Sequence, residues 1–371
     1  MTGRLTVGAD FTELLHKAAS GQVLSSQEAE SAFHAIMAGT VDPVHLSAFL
    51  TALKLRGETF AELTGAVKAV RHHMTLLPDV PAGAIDVCGT GGDGLKTLNV
   101  STAVAFVLAG LGVPVAKHGN RALSSTTGAT DVLEVLGIPP TADLALQGRR
   151  LREDNLVFLA APQHHPAMRH AAPVRKTLGF RTLFNLLGPL CNPAQVRHQL
   201  IGVFDDCWCE PVARALGALG SLSVWVVHGS TSEGGSDELT LAGPSQVSAW
   251  EKDALFSFEI EPDMAGLKAA PISAIRGGDA RTNASALVSL LEGAGDAYRD
   301  TVLLNAAAAL HVAGRGDIVK GGTIDVPAFR RNVGLAAESI DHGLARAALE
   351  RARMSAHSPT HSIASTDAGR S

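Results

Sequence analysis

Ala84-Ile-Asp-Val-Cys-Gly-Thr-Gly-Gly-Asp93, then Asn99-Val-Ser-Thr102, and after an apolar run Val113-Pro-Val-Ala-Lys-His-Gly-Asn-Arg121: this stretch decides the fold. Ala84–Val87 and Val113–Ala116 are short apolar runs of strand character, each closed by glycine or a polar turn. Between them, Val100–Leu111 has the length and composition of a buried helix. Strand, glycine turn, helix and strand make a βαβ unit, whose two strands lie parallel in one sheet. The texture repeats downstream, with apolar runs at Leu156–Ala160, Gln199–Phe204 and Ser223–Val227 and helical patterns at Asp131–Leu136 and Glu210–Leu219. These elements predict an α/β fold with a mostly parallel central sheet covered by helices.

Upstream, Phe11 to His73 reads as helix throughout. Apolar residues recur at helical spacing in Phe33, Ile36, Met37 and again in Leu46, Phe49, Leu50, Leu53, with Ser25 and Asp42 as N-caps. A small all-helical N-terminal subdomain over 1–77 is therefore expected, with the Pro78–Pro81 break leading into a larger α/β domain over 78–350. Pro166 to Leu187 is again helical, so helices from 166–190 are expected to join the first subdomain. Asp300–Ala313 reads as a buried helix. Residues 354–371 are Ser, His, Thr and Ala without periodicity, and a disordered tail is expected there.

The chain has 371 residues, 46% hydrophobic and 18% charged, with a net charge of -5. That balance offers no basic footprint for nucleic acid or an anionic membrane. Cys88, Cys191, Cys207 and Cys209 are too few and scattered for a disulfide scaffold, and read as reduced thiols. Met1–Leu15 lacks the apolar core of a signal peptide. Ala103–Ala116 is broken by Gly110, Gly112 and Pro114 and is too short to span a bilayer. A cytoplasmic protein is expected.

Glycines at a strand-to-helix turn let backbone N–H groups crowd round a phosphate without a Cβ clash. The turn Gly89, Thr90, Gly91, Gly92, Asp93 is such a place, and the next helix N-terminus adds open donors beside the Ser101 and Thr102 hydroxyls. No Gly-Lys-Ser/Thr follows and the G-x-G-x-x-G spacing is absent, so this is neither a Walker loop nor a dinucleotide fingerprint. The next βα loop, Lys117 to Ser125 and on to Asp131, brings two cations, Lys117 and Arg121, with Asn120, Ser124 and Ser125 as directional partners. Either loop alone reads equally as a solvated turn. Two in successive βα units favour an anion site on the side where open α/β sheets bind ligands.

GTGGDG, NVST, KHGNRALSS and DVLEVLG, in that order, resemble the phosphoribosyl pyrophosphate (PRPP) motifs of anthranilate phosphoribosyltransferases. The resemblance continues through His165–Ala194 (HPAMRHAAPVRKTLGFRTLFNLLGPLCNPA), Arg276–Ala284 (RGGDARTNA), Leu303–Leu310 (LLNAAAAL) and, upstream, Ala48–Thr59 (AFLTALKLRGET), so that it spans about Leu15 to Ala347. It implies Mg2+-dependent transfer of the phosphoribosyl group of PRPP to the amine of anthranilate, the second step of tryptophan synthesis from chorismate. For PRPP it implies the glycine turn from Gly89 to Asp93, then Thr97, Asn99, Ser101 and Thr102, and then Lys117, Gly119, Asn120, Arg121, Ser124, Ser125 and Ala129. For anthranilate it implies Gly89, His118, Asn120, His165, Gly188 and Pro189, with Arg175 as the carboxylate partner, a role suited to a planar guanidinium. For Mg2+ it implies Asp237 and Glu238, with the Ser101 hydroxyl at a second ion. Lys117, Asp93 and Arg175 are the residues expected to bear on the chemistry, Asp93 by ordering water or metal near the phosphates. A homodimer through the helical subdomain is also implied.

One segment departs from the family pattern. His228-Gly229 is followed by a lengthened link, Ser230–Ser236, with Ser236 where leucine is usual. Read as a flexible loop, it tolerates the insertion at small entropic cost, and metal geometry, with magnesium affinity, is the property it bears on first. Two readings compete with the transferase: a pyrimidine-nucleoside phosphorylase-like enzyme, and a non-catalytic nucleic-acid-binding relative of the same fold. A transferase for a different aromatic amine is a third.

Overall fold

The computed structural model describes residues 10–121 and 127–357. Four helices open the chain: α1 (Phe11–Ala19), α2 (Ser26–Ala38), α3 (Pro43–Arg56) and α4 (Phe60–His72). Each starts where the sequence supplies a cap. The side chains of Asp10, Ser25, Asp42 and Thr59 accept first-turn N–H groups, and Ser25 with Glu28 and Thr59 with Glu62 close capping boxes. Glu62 is buried but fully bonded, accepting from the Leu24 N–H, the Thr59 N–H and hydroxyl, and the Arg56 guanidinium.

The chain then alternates: β1 (Ile85–Gly89), α5 (Val100–Gly110), β2 (Val115–Gly119), α6 (Ala129–Val135), α7 (Leu144–Glu153) and β3 (Leu156–Ala160). Three short helices follow, α8 (Ala161–His164), α9 (Ala172–Leu178) and α10 (Phe184–Leu190), before β4 (His198–Gly202), α11 (Cys209–Ala218) and β5 (Ser223–Thr231). The last part holds β6 (Gly234–Ser236), β7 (Ser245–Glu251), β8 (Ala254–Ile260), α12 (Ala280–Leu291), α13 (Ala297–Val312), α14 (Val326–Asp341) and α15 (Leu344–His357).

The sheet runs β3-β2-β1-β4-β5-β7-β8, with β6 also on β5. β1 to β5 are parallel, and β6, β7 and β8 pair antiparallel. Strand order reverses between β1 and β4, and at such a switch point a crevice opens beyond the strand C-termini. One face is buried under α5, α13, α14 and α15. The other shares a core with α1–α4, α9, α10 and α11, in which Phe33 of α2 packs 5.4 Å from Phe184 of α10, centroid to centroid. Helical N-terminal segment and mostly parallel α/β sheet are as the sequence predicts.

Two expectations are corrected. Ser230–Ser236 is not a flexible loop: Gly229 to Thr231 pairs in register with Gly234 to Ser236 around a two-residue turn, so the extra length is a hairpin. Its tip is anchored, because Glu233 pairs with Arg276 at 2.6 Å. The tail does not begin at Met354, since α15 carries Met354 to His357 in its last turn; 358–371 lies outside the described residues.

Gly65 sets how closely α4 approaches α2. A Cβ there would strike the Ser26 carbonyl and come within 2.7 Å of the Glu30 nitrogen. Gly65→Ala is therefore expected to destabilise by about 1–3 kcal/mol through overpacking, although alanine in a helix interior gains about 1 kcal/mol over glycine. A urea midpoint equal to or above the parent's would refute this close fit.

Candidate functional site

The crevice at the switch point is a cavity of roughly 330 Å³. After Gly89 ends β1, the chain turns through Gly91, Gly92 and Gly94 at φ of 69°, 76° and 82°, a region that favours glycine; Thr90 N–H donates to the Gly202 carbonyl at 2.9 Å, and the Gly92 and Asp93 amides have no partner among the described residues. Asn99 precedes α5 without a side-chain cap; of the first-turn amides, Val100 N–H donates to the Leu98 carbonyl at 2.8 Å and Ser101 N–H to Glu238 Oε1 at 3.1 Å, which leaves Thr102 N–H open among the described residues.

Asp237 and Glu238 reach this point through missing side chains. A Cβ on Gly89 would fall on the Asp237 carboxylate, one on Gly202 would fall on the Asp237 carbonyl, and one on Gly229 would lie 2.6 Å from the Glu238 carbonyl. The acidic pair is thus laid across the C-terminal ends of β1, β4 and β5. Gly91 N–H donates to Asp237 Oδ2 at 2.7 Å. Removal from water raises both carboxyls. Glu238 goes to about 7 against the pull of Lys117, and Asp237 is raised further by Asp93 and Glu238 beside it. Crowded carboxylates of this kind are relieved by a cation. Among the described residues no three His, Cys, Asp or Glu side chains converge as a metal cage. The pair suits Mg2+, which keeps waters and shares substrate phosphate oxygens.

The cavity wall brings together Gly89, Thr90, Gly91, Gly92, Asp93, Thr97, Asn99, Ser101, Thr102, Lys117, Gly119, Asn120, Arg121 and Ala129 with Asp237 and Glu238. Ser124 and Ser125 lie outside the described residues. Two cations are less free than their residue types suggest. The Lys117 ammonium is turned inward, donating to the Val87 carbonyl at 2.6 Å and the Ser101 hydroxyl at 3.1 Å. Arg121 pairs with Asp131 at 2.9 Å and with Glu134. Gly128, Asn185, Gly278 and Asn283 also line the wall without having been foreseen. Gly278 and Asn283 belong to the Arg276–Ala284 motif, the only signal that could have pointed to them.

A second cavity, of roughly 410 Å³, shares Gly89, Thr90, His118 and Asn120 with the first. It collects the other expected positions, His165, Arg175, Gly188 and Pro189, together with apolar Met168, Phe184 and Leu187. Arg175 comes from α9 and lies 5.0 Å over the Phe184 ring. No carboxylate pairs with it among the described residues, and burial lowers its pKa. The His118 and His165 rings stand 5.1 Å apart. Burial first, and then neighbouring imidazoles, push them to about 3 and about 4, so both are neutral. His118 Nδ1 bonds the Gly188 carbonyl at 2.9 Å, and its Nε2 has no partner. The result is an apolar chamber with neutral imidazole walls and an unpaired guanidinium, opening onto an anion cradle.

Comparisons with known proteins agree with the fold. Residues 12–74 match the model of the glycosyl transferase family helical bundle domain, and residues 82–346 that of the glycosyl transferase family a/b domain. The chain is 87% identical over 367 residues to the anthranilate phosphoribosyltransferase of Gluconobacter oxydans (strain 621H), covering 99% of this chain and all of that one. It superposes on the Thermus thermophilus enzyme with a TM-score of 0.84 at 40% identity, over 93% of this chain and 99% of the other. The Saccharomyces cerevisiae enzyme in complex with PRPP and Mg gives 0.80 at 29% identity, over 93% and 97%. The same yeast enzyme in complex with 4-fluoroanthranilate gives 0.79 at 28%, over 94% and 98%. The chain belongs to the anthranilate phosphoribosyltransferase family.

Proposed function

We propose that the chain transfers the 5-phosphoribosyl group of PRPP to the amine of anthranilate, giving N-(5-phosphoribosyl)anthranilate and pyrophosphate. Arg175 is the observation that carries this reading: an unpaired guanidinium in an apolar chamber that meets a glycine-built phosphate cradle. A flat aromatic acid fits that chamber with its carboxylate on the arginine. The amine nitrogen attacks the ribose anomeric carbon, the bond to pyrophosphate breaks with its electron pair, and the amine proton leaves late to water. The neutral aromatic amine needs no prior deprotonation, and His118 and His165 are too weakly basic to serve as general bases. Asp237, Glu238 and the Ser101 hydroxyl would hold Mg2+, which supplies positive charge against the phosphate oxygens. The amides of the Gly89–Asp93 turn that have no internal partner among the described residues, those of Gly92 and Asp93, hold the leaving group, with Lys117 behind Ser101 contributing its field.

We divide the chain into a helical subdomain, 1–77 with 166–190, and an α/β domain, 78–350, a partition supported by the packing of α9 and α10 against α1–α4. We assign a homodimer through the helices. On α3, Val44 is 73% and Leu55 82% exposed, about three turns apart on one face, with apolar Ala48 between them. We place the protein in the cytoplasm: no helix of the described residues is long and apolar enough to cross a membrane, and all four cysteines are free thiols.

Three outcomes test these assignments. Arg175→Ala should raise the anthranilate KM at least thirtyfold, from about 2–5 kcal/mol for a buried charge partner, with the PRPP KM little changed; loss of anthranilate fluorescence gives both. An unchanged anthranilate KM would show that the acceptor lies elsewhere. Gly202→Ala should displace the Asp237 segment and shift the Mg2+ needed for half-maximal rate upward by about tenfold or more, the scale on which loss of the groups that orient metal ligands weakens a site; a parental magnesium titration would refute the glycine seat. Light scattering should find the parent dimeric and Val44→Glu/Leu55→Glu monomeric with its helical circular dichroism kept. A monomeric parent removes the interface.

A further inference from the structure

Asn99 stands at the mouth of the cradle, before the first turn of α5, with its side chain on the cavity wall. An amide there can present either its oxygen or its NH2 to a ligand, and only the NH2 suits an anion. Its neighbours remove the ambiguity. Asn283, on α12 and 2% exposed, accepts the Gly278 N–H on Oδ1 at 2.8 Å. A backbone N–H can only donate, so the Asn283 oxygen must face Gly278 and its Nδ2 must face the other way. That Nδ2 donates to Asn99 Oδ1 at 2.9 Å. Asn99 is then left with its own Nδ2 uncommitted among the described residues. Tyr298, on α13, fixes the backbone of the same residue, its hydroxyl donating to the Asn99 carbonyl at 3.0 Å. Gly278 is itself held, since its carbonyl accepts from the Thr127 hydroxyl at 2.9 Å. Close approach maintains the relay: a Cβ on Gly277 would lie 2.8 Å from Asn283 Oδ1 and 2.9 Å from the Thr97 carbonyl.

We propose that Asn283 is a positioning residue that sets Asn99 as a hydrogen-bond donor toward the anionic oxygens of PRPP. Polarity passes from the Gly278 N–H through Asn283 to Asn99, and each link allows one orientation. The proposal rests on the phosphoribosyl reading above and names what orients one of its contacts. It also accounts for an asparagine, rather than a serine or an aspartate, at position 283: the place requires one acceptor and one donor back to back.

The test is a double-mutant cycle on PRPP affinity, measured by calorimetry with Mg2+, with anthranilate KM and thermal midpoint recorded alongside. Asn283→Asp keeps the acceptor for Gly278 and nearly the same shape but loses the donor, so Asn99 turns its NH2 inward and offers oxygen to the ligand. In the parent background it should weaken PRPP tenfold or more and leave the anthranilate KM within twofold. In the Asn99→Ala background the same change should weaken PRPP by less than half that factor. Asn283→Leu, which removes both groups without adding charge, provides an independent second cycle with the same expectation. A factor that stays at half its value or more in the Asn99→Ala background, in both cycles, overturns the proposal and leaves Asn283 with a local role. Failure of the parent to bind PRPP would instead overturn the phosphoribosyl reading itself.

Discussion

A lysine ammonium buried on β2, an inner strand of the parallel sheet, is the constraint on which this site depends. Lys117 is 3% exposed, and withdrawing such an ion from water costs several kcal/mol unless it is matched. The matching comes from three sides. The Val87 carbonyl and the Ser101 hydroxyl accept from it, and the carboxylates of Asp86 and Glu238 lie within its field. Asp86 in turn is held by the His118 N–H at 3.1 Å and by Asn192 Nδ2 at 2.7 Å, and Asn192 also donates to the Ala116 carbonyl. Burial raises Asp86 to about 6 even so, with Lys117 as the largest opposing pull. One ion thereby ties β1, β2, the start of α5 and the α10–β4 turn into a single rigid base for the cradle.

The negative side of the account is larger than the positive one. Asp93, Asp237 and Glu238 gather where Lys117 already faces Asp86, so the mouth of the cleft carries excess carboxylate. Such an imbalance suits a hard cation, and a phosphate with its own magnesium fits it better than a phosphate alone. Glycines rather than ligands make it possible. Without the space at Gly89, Gly202 and Gly229, the Asp237-Glu238 segment could not lie across three strand ends.

How legible this was in the sequence depends on range. β1 to β5 are short apolar runs bounded by turn residues, and both phosphate loops advertise themselves by glycine and small polar residues. The β7–β8 hairpin gave no such sign. Its two-residue turn is Lys252-Asp253, at φ of 52° and 60°, where hairpins with both central residues left-handed favour Asn-Gly or Asp-Gly. The Ser232-Glu233 turn likewise hid the β5–β6 pairing and made an ordered hairpin read as a loop. Gly202, Gly229 and Asn283 were illegible for another reason. Their roles are set by what packs on them from more than thirty, eight or a hundred and eighty positions away, as Gly202 with Asp237, Gly229 with Glu238 and Asn283 with Asn99. Only three-dimensional proximity gives such residues a function.

The two cavities also differ in sign, and that difference does part of the recognition. The cradle is lined by the carboxyls of Asp93, Asp237 and Glu238, whereas the chamber holds two imidazoles kept neutral by burial and, besides the exposed Arg169, the Arg175 guanidinium, which pairs with no carboxylate among the described residues. Had His118 or His165 been protonated, a carboxylate entering the chamber would find competing cations near the junction and could bind in reverse. With both neutral, the attraction for a carboxylate lies at Arg175, on the chamber wall and not on that of the cradle. For the acceptor proposed above, charge would therefore orient the ring along the chamber, and shape would choose which edge faces the ribose. Burial of the histidines, which on its own looks like ordinary core packing, is what leaves Arg175 to set that direction.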